Sequence, residues 1–254
     1  YGEAIGLGER RGRFVELMNA AVDPSLASDR LTIALTPHAP YTVELDSYRR
    51  CVALAREKSL PLMTHLAETP AEQAFLADHT GPFRELYDRL GRDLSTVPRF
   101  AGGPIRYAHA AGLLDYPTLL AHVNYCDDAE LSLLAAGRAS IVYCPRTHAH
   151  FGHPPHRWRE MLAAGINVCL GTDSRASSPD LNLLDDLRLV RKQSPEVPAD
   201  VLWPLVTTNA AQAIGINRVG SITPGKAADF AVFSVDSDSP LEELLAGQAT
   251  PVQV

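Results

Sequence analysis

The stretch LPLMTHLAETPAE, residues Leu60–Glu72, joins a mostly apolar run to two side chains that could do chemistry. His65 is followed three residues later by Glu68, and Pro70 closes the segment. Imidazole and carboxylate groups can bind a metal ion or transfer protons. Two interpretations are open: a buried strand that happens to end in polar residues, or a functional pair at the mouth of a barrel.

Three further polar side chains, His38, His122 and Asp173, lie within or at the end of other apolar runs. Each has a plain explanation, because a histidine after a strand is often structural and an aspartate often caps the next helix. Side-chain alternation puts His38 and Asp173 with the small, polar set of their strands, which we expect to face a barrel interior. Together with His65 and Glu68 these residues favour one shared site, whose nitrogen and oxygen ligands suit zinc or iron(II).

Short apolar runs alternate with amphipathic segments along most of the chain. The predicted strands are Tyr1–Leu7, Leu31–His38, Pro61–Leu66, Thr118–Tyr125, Ser140–Pro145 and Asn167–Ser174. The predicted helices are Leu45–Lys58, Ala129–Ala136, Trp158–Ala164, Leu183–Lys192 and Thr207–Ile216. This alternation predicts an α/β fold of the (β/α)8 TIM-type barrel class. Such a barrel needs about eight strands, so we expect an incomplete barrel over residues 1–218 and a chain that lacks an N-terminal portion.

The last part of the sequence, residues 219–254, has a different character. A turn at Pro224–Gly225 separates two β-rich halves of the segment Val219–Asp236. This pattern predicts a hairpin rather than another strand–helix unit. We therefore expect residues 219–254 to form part of a small C-terminal β-sheet.

Composition limits the classes of partner. The 254 residues carry a formal net charge of −7 and no basic run stands out, which argues against a nucleic-acid or anionic-membrane surface and favours a small neutral or cationic ligand. The four cysteines, Cys51, Cys126, Cys144 and Cys169, form no CxxC pair, so reduced thiols in a cytoplasmic protein are the simplest expectation. No apolar stretch reaches the length of a transmembrane helix.

Several strings of the chain resemble, in order, the amidohydrolase superfamily and within it the aminohydrolase branch. They are TPHAPYT, HLAET, LLAHVNYCDDAEL, YCPRTH, GINVCLGTDSRAS and GSITPGKAADFAVF. That branch includes adenosylhomocysteine, guanine and cytosine deaminases and triazine chlorohydrolases. The resemblance covers nearly the whole chain and implies a metal-bearing (β/α)8 barrel with a flanking β-sandwich built from both chain ends.

The resemblance also implies a role for each candidate residue. His65 and Asp173 would bind one divalent metal ion, with zinc as the first expectation and iron as the alternative, and Asp173 would also act as a base. Glu68 would carry a proton to a ring nitrogen of the substrate. His122 would hold the metal, the attacking hydroxide or the substrate, and His38 would contact substrate.

The sequence departs from the family pattern in two places. The HxH pair of the first barrel strand is missing, and the HAH at His148–His150 follows the wrong strand to replace it. The family tends to have Cys-Pro-x-Ser-Asn where this chain has CPRTHAHFGHPPHR. We interpret this segment either as a polar loop at the barrel mouth or as a loop whose Arg146 and His148 bind substrate, Arg146 pairing with a carboxylate or phosphate.

The leading hypothesis is therefore a metal-dependent hydrolytic deaminase of an aminated heterocycle such as a nucleobase or nucleoside. A second hypothesis keeps the site but changes the bond, to another C–N bond or to C–Cl. A third is a non-catalytic binding module with an incomplete site. We expect a small-molecule substrate, no nucleic acid and no membrane, and leave a homodimer open.

Overall fold

A computed structural model describes residues 2–8, 11–23, 25, 27–28, 31–247 and 249–252. The chain divides into two compact units. The first comprises residues 1–141 and 155–166, and the second comprises residues 142–154 and 167–254. Tyr1, with which the first predicted strand begins, lies outside the described residues.

Strands and helices alternate through most of the described residues. In chain order they are β1 (Gly2–Ala4), α1 (Arg11–Ala21), β2 (Leu35–Pro37), α2 (Leu45–Lys58), β3 (Leu62–Leu66), α3 (Pro70–Asp78), α4 (Pro82–Arg89), α5 (Pro104–Ala110), β4 (Thr118–His122), α6 (Asp128–Ala136), β5 (Ser140–Tyr143), α7 (Pro145–Phe151), α8 (Trp158–Ala163), β6 (Asn167–Leu170), α9 (Leu183–Gln193), α10 (Ala199–Leu202), a 3-10 helix (Trp203–Val206), α11 (Thr208–Ala213) and α12 (Pro240–Ala246). The predicted α/β class is confirmed.

The strands of the first unit lie side by side in chain order and run parallel. β1 pairs with β2, β2 with β3, and β3 with β4, and Leu62 is in register with both Leu35 and Thr118. All five residues of β4 are buried, as expected for a parallel strand covered on both faces. Because the strands are parallel, their carboxyl ends lie at the same edge of the sheet.

Helix α2 shows how the sequence builds the layer that covers the strands. Its bounds are those predicted, and Tyr48, Cys51, Val52 and Ala55 are buried at the three- and four-residue spacing of one helical face. The hydroxyl of Tyr48 lies 2.7 Å from that of Thr64 in β3, which ties this face to the strand. The helix ends at Ser59, whose φ of 54° is left-handed.

The second unit contains the last residues of β5, followed by β6 and most of the C-terminal helices. The amide of Gly171, directly after β6, donates to the carbonyl of Tyr143 in β5 over 2.9 Å. A Cβ at position 171 would lie 2.8 Å from Cγ1 of Val142. A larger residue where the chain leaves β6 would force Val142 to shift.

Two predictions about the second unit are wrong. The segment predicted as a loop after β5 is helix α7, and the predicted hairpin Val219–Asp236 contains no strand. The turn itself exists, since the amide of Lys226 donates to the carbonyl of Thr223. Its flanking residues are exposed, Ile222 at 86% and Phe230 at 47%. A two-stranded hairpin is marginal without a further layer to cover one face, which explains why the β-rich sequence stays irregular.

The strand predicted over Leu31–His38 is shorter in the structure, where β2 begins only at Leu35. Leu31 lies outside β2 and is 56% exposed. Within the described ranges, every helix is too short or too polar to span a lipid bilayer.

Candidate active site

Three of the predicted residues come together at the carboxyl ends of β3 and β4. The ring centroids of His65 and His122 lie 5.5 Å apart, with the planes inclined by 24°. Nε2 of His122 lies 3.7 Å from Oε1 of Glu68. His122 is only 3% exposed, whereas His65 and Glu68 are half-buried. Two imidazoles and a carboxylate thus share one partly enclosed place in the first unit.

The approach of His122 to His65 requires a departure from regular strand geometry. His65 is in register with Ala121, and His122 with Leu66. In two regular parallel strands His122 would therefore point with Leu66, to the face opposite His65. The φ of His122 is 73°, in the left-handed region. This conformation ends the strand and redirects the imidazole toward His65.

Left-handed backbone recurs where candidate residues leave their strands. Among the described residues other than glycine, positive φ occurs at six positions, and Ser59 and His79 are ordinary helix C-caps. The others are Ala67, His122, Val123 and Asp173. Such conformations cost free energy, most of all for a β-branched residue such as valine, and they concentrate at functional sites. Their positions mark the chain at and just after the ends of β3, β4 and β6 as candidate functional sites.

The orientation of His65 is fixed by a backbone carbonyl. Its Nδ1 lies 3.0 Å from the carbonyl oxygen of His38, which also accepts the amide of His65 and the hydroxyl of Thr64. A carbonyl can only accept, so Nδ1 of His65 carries the proton. In the neutral ring Nε2 then has the lone pair, which is the form a metal ligand needs.

His38 is held in a similar way. Its Nδ1 lies 2.7 Å from the hydroxyl of Thr42, which donates to the carbonyl of Ala39. These two contacts hold the His38 ring in place. The ring centroids of His38 and His65 are 5.0 Å apart, so His38 borders the same place.

Both backbone polar groups of Glu68 are bound by buried side chains. Its amide donates to Oε2 of Glu72 over 3.0 Å, and its carbonyl accepts from Nδ2 of Asn124 over 3.1 Å. Glu72 is 1% exposed and Asn124 is 8% exposed. Burial raises the pKa of Glu72 to about 8, although the amides of Glu68 and Ala67 act against that rise.

The second unit carries Asp173, three residues after β6. Its Oδ1 accepts from the amide of Ser174 over 2.7 Å, and the hydroxyl of Ser177 donates to Oδ2 over 3.4 Å. The next helix, α9, begins only at Leu183 and is capped by Asn182. The alternative that Asp173 caps the following helix is therefore wrong, and its roles as metal ligand and base stay predictions.

Arg146, predicted to contact substrate, donates hydrogen bonds to several acceptor groups within the second unit. Its Nε donates to Asp186 over 3.0 Å and its Nη1 to Asp180 over 2.7 Å, while Nη2 donates to the carbonyls of Asp180 and Asn182. Asp186 is fully buried. Every nitrogen of the guanidinium thus donates to an acceptor within the protein, and these contacts favour a structural role.

His148, the other predicted contact in this segment, is a buried residue of α7 and 6% exposed. Its ring lies edge-on to Tyr143 at 5.4 Å. Burial lowers the pKa of His148, and neighbouring His153 adds to the effect. Its role in substrate binding stays a prediction.

The donor set of the first unit suits a divalent metal. Two imidazoles side by side, one with its tautomer fixed by a carbonyl, match the nitrogen ligation and outer hydrogen bonding of zinc and iron sites. The carboxylate of Glu68 lies 3.7 Å from Nε2 of His122. His65 and His122 offer imidazole nitrogens to an ion in this unit, and Glu68 offers a carboxylate oxygen.

Sequence reasoning missed Thr42, Glu72 and Asn124, which orient His38 and Glu68. A signal for Glu72 exists, because Thr69 and Glu72 have the spacing of a helix capping box. That pattern predicts a bond to the N-cap amide, and the carboxyl group reaches the amide one residue earlier. No local pattern marks Asn124, whose partner lies 56 residues away.

Comparison with known proteins identifies relatives. The sequence profile of the amidohydrolase family matches residues 15–253. The chain is 28% identical over 229 residues to a 5-methylthioadenosine/S-adenosylhomocysteine deaminase of Bacillus cereus, covering 86% of this chain and 48% of that protein. It is 31% identical to the enzyme of the same name from Saccharophagus degradans, covering 85% and 46%. The chain thus spans about half the length of the curated relatives it matches.

Solved structures share the fold. Aminofutalosine deaminase from Helicobacter pylori superposes with a TM-score of 0.82 at 25% identity, covering 96% of this chain and 62% of that one. An atrazine chlorohydrolase from Arthrobacter aurescens, complexed with zinc, gives a TM-score of 0.75 at 21% identity, covering 98% and 56%. At that identity the second likeness concerns the fold alone. The predicted amidohydrolase barrel class is confirmed.

Proposed function

This chain belongs to the amidohydrolase family, and from that premise we propose that it acts as a metal-dependent hydrolytic deaminase of an aminated heterocycle. The substrate class we favour is a nucleoside with an amino-bearing purine, because the curated relatives carry the name of 5-methylthioadenosine/S-adenosylhomocysteine deaminase. The observation that carries the proposal is the convergence of His65, Glu68 and His122 at the ends of β3 and β4.

We propose His65 and His122 as metal ligands, because their imidazoles lie side by side and the tautomer of His65 leaves Nε2 unprotonated, and Asp173 as a further ligand and base from the family resemblance. Zinc is the metal we propose, with iron as the alternative, since imidazole suits both. A bound divalent ion would supply Lewis acidity and a water of lowered pKa. The carbonyl of His38 keeps the proton of His65 on Nδ1, which holds Nε2 ready to bind the ion.

Glu68 is the residue we assign to proton transfer. Deamination adds water across a carbon–nitrogen bond and releases ammonia, so a proton must reach the ring nitrogen beside the reacting carbon. A carboxyl group half-buried next to His122 can hold that proton and deliver it. His38, whose ring lies beside that of His65, would form a hydrogen bond with a polar group of the substrate.

Ammonia release from a panel of aminopurine nucleosides, free aminopurines, pterins and triazines tests the proposal with the metal-loaded full-length protein. We expect turnover of at least one aminopurine nucleoside. Glu68→Gln keeps the shape of the side chain but removes its acid, so kcat should fall by ~10²–10⁴-fold while the bound metal stays. Glu85→Gln, at an exposed position of α4, is the matched control and should leave kcat unchanged.

The proposal would be overturned by turnover of amides without ammonia release from any amine of the panel. It would also fail if Glu68→Gln kept the activity of the wild-type protein, because the proton would then come from another group.

A further inference from the structure

Glu68 follows β3 on a short segment with little regular structure of its own. Ala67, directly before it, has a φ of 50°, which an L-residue adopts only when its surroundings enforce it. Helix α3 begins only at Pro70. A side chain that must deliver a proton needs its backbone fixed to within a fraction of an ångström, so something has to hold this segment.

The contacts to this segment come from two sides. On the β4 side the amides of Val123 and Tyr125 donate to the carbonyls of Leu66 and Ala67, at 2.9 and 3.2 Å. The carbonyl of Glu68 itself is bound by a side chain, the amide group of Asn124. On the α3 side the amide of Glu68 is bound by the carboxyl group of Glu72.

We propose that Glu72 and Asn124 are positioning residues, which clamp both backbone polar groups of Glu68 and so hold its carboxyl group beside His122. The inference rests on the proposed function, since it assigns the two residues to the proton transfer of that reaction. We call the pair the Glu68 clamp. Its members touch neither the substrate nor the metal, and they act only through Glu68.

Burial of the Glu72 and Asn124 side chains restricts the motion of the clamp. The Glu72 side chain begins on the first turn of α3, whose N-cap Thr69 accepts the amide of Glu72. Oε2 reaches the amide of Glu68, whereas Oε1 is buried without a hydrogen-bond partner among the described residues. A buried polar oxygen left in this way costs free energy. The protein tolerates that cost at a carboxyl group whose other oxygen holds a functional residue.

The chain contains a matched control for this arrangement. Glu130 occupies the third position of α6 and, like Glu72, is a buried glutamate whose Oε2 accepts a backbone amide over 3.0 Å. The amide belongs to Asp127, the N-cap, to which we assign no functional role. Replacing either glutamate by methionine removes a bond to a backbone amide at the start of a helix, and at position 130 it also removes the ion pair with Arg106. Only at position 72 does the lost bond hold Glu68.

The test compares Glu72→Met, Glu72→Gln and Glu130→Met in the metal-loaded full-length protein, on a substrate that the wild-type protein deaminates. Methionine has nearly the length of glutamate but no oxygen, whereas glutamine keeps an acceptor. For Glu72→Met we expect kcat to fall by about 10- to 100-fold, with KM and metal content within about threefold of wild type. Glu72→Gln should recover most of that loss. Glu130→Met should lower the melting temperature and leave kcat within about twofold.

A double-mutant cycle with Glu68→Gln gives a readout that a purely structural role would not produce. If Glu72 acts through Glu68, adding Glu72→Met to Glu68→Gln should cause less than about a twofold further loss of kcat. A full further loss of about 10- to 100-fold would overturn the inference. So would an unchanged kcat in Glu72→Met, or an equal loss in Glu72→Met and Glu72→Gln.

Asn124→Ala removes the hydrogen bond to the carbonyl of Glu68, and it tests the inference if Glu72→Met does not fold. We expect it to lower kcat without changing metal content, and an unchanged kcat would overturn the inference. Absence of deamination by the wild-type protein is a different result, because it would contradict the proposed function before any clamp variant is compared.

Discussion

At the scale of single residues, the buried carboxyl group of Glu72 links the site to the stability of the fold. Burial raises its pKa from an ordinary value of 4.5 to about 8, and the nearby Glu68 carboxylate adds to the rise. The folded protein therefore keeps a proton on Glu72 at pH values where the unfolded chain has lost it. A group with this shift makes folding less favourable as the pH rises through the interval between the two values.

We predict that Glu72→Gln becomes progressively more stable relative to wild type as the pH rises from 5 to 8. Glutamine cannot ionise, so it avoids a penalty that grows in the wild-type protein by up to ~1.4 kcal/mol per pH unit. Urea unfolding at pH 5, 6.5 and 8 would measure the difference in free energy of unfolding. Glu85→Gln is the control, with a difference from wild type that stays constant. A constant difference for Glu72→Gln as well would contradict the raised pKa.

At the scale of elements, the success of sequence reasoning follows the amount of local signal. Helix α2 was predicted with its observed bounds because its buried residues repeat at helical spacing. β3 and β4 were found because they are apolar and end near a histidine. Helix α7 was missed, since Pro145 and its run of polar residues resemble a loop, whereas proline is favoured at the start of a helix. The convergence of Glu72 and Asn124 on Glu68 depends on tertiary contacts that no local pattern encodes.

Arg146 joins the start of α7 to the start of α9, and we predict that it matters for stability rather than for substrate binding. Its partner Asp186 is fully buried, so Arg146→Met would leave that carboxylate bonded to the backbone amide of residue 146 but without a cationic partner. The expected cost is about 3 kcal/mol in the free energy of unfolding. Denaturant unfolding measures that cost, and KM for the substrate should stay within about twofold.

The control for this prediction is Arg218→Met, at an exposed arginine of the same unit, which should change the free energy of unfolding by less than about 0.5 kcal/mol. A large rise in KM for Arg146→Met without loss of stability would restore the sequence-based assignment of Arg146 to substrate binding.

At the scale of the whole molecule, the barrel class and the family could be predicted because motifs occur in order along nearly the whole chain, and the profile match over residues 15–253 confirms them. The geometry at His122 could not be predicted from the sequence. A regular strand directs His122 away from His65, and only the left-handed backbone at its own position reverses that direction. Spacing along the chain shows which residues could meet, whereas the conformation at the strand end decides whether they do.

A bound metal ion couples the site to the unfolding of the entire molecule, because an ion that binds only the folded state stabilises all of it. We therefore predict that zinc raises the melting temperature of the metal-free full-length protein, by the equivalent of ~2.7 kcal/mol at a free concentration of 100 times Kd. His65→Phe keeps an aromatic ring but loses the nitrogen, and it should lose most of the shift. Glu68→Gln should keep the shift, since we assign Glu68 to proton transfer. His109→Phe, at an exposed histidine of α5, is the control and should respond as the wild type does. An unchanged zinc response in His65→Phe would remove His65 from the metal site, and with it the observation on which the proposed chemistry depends.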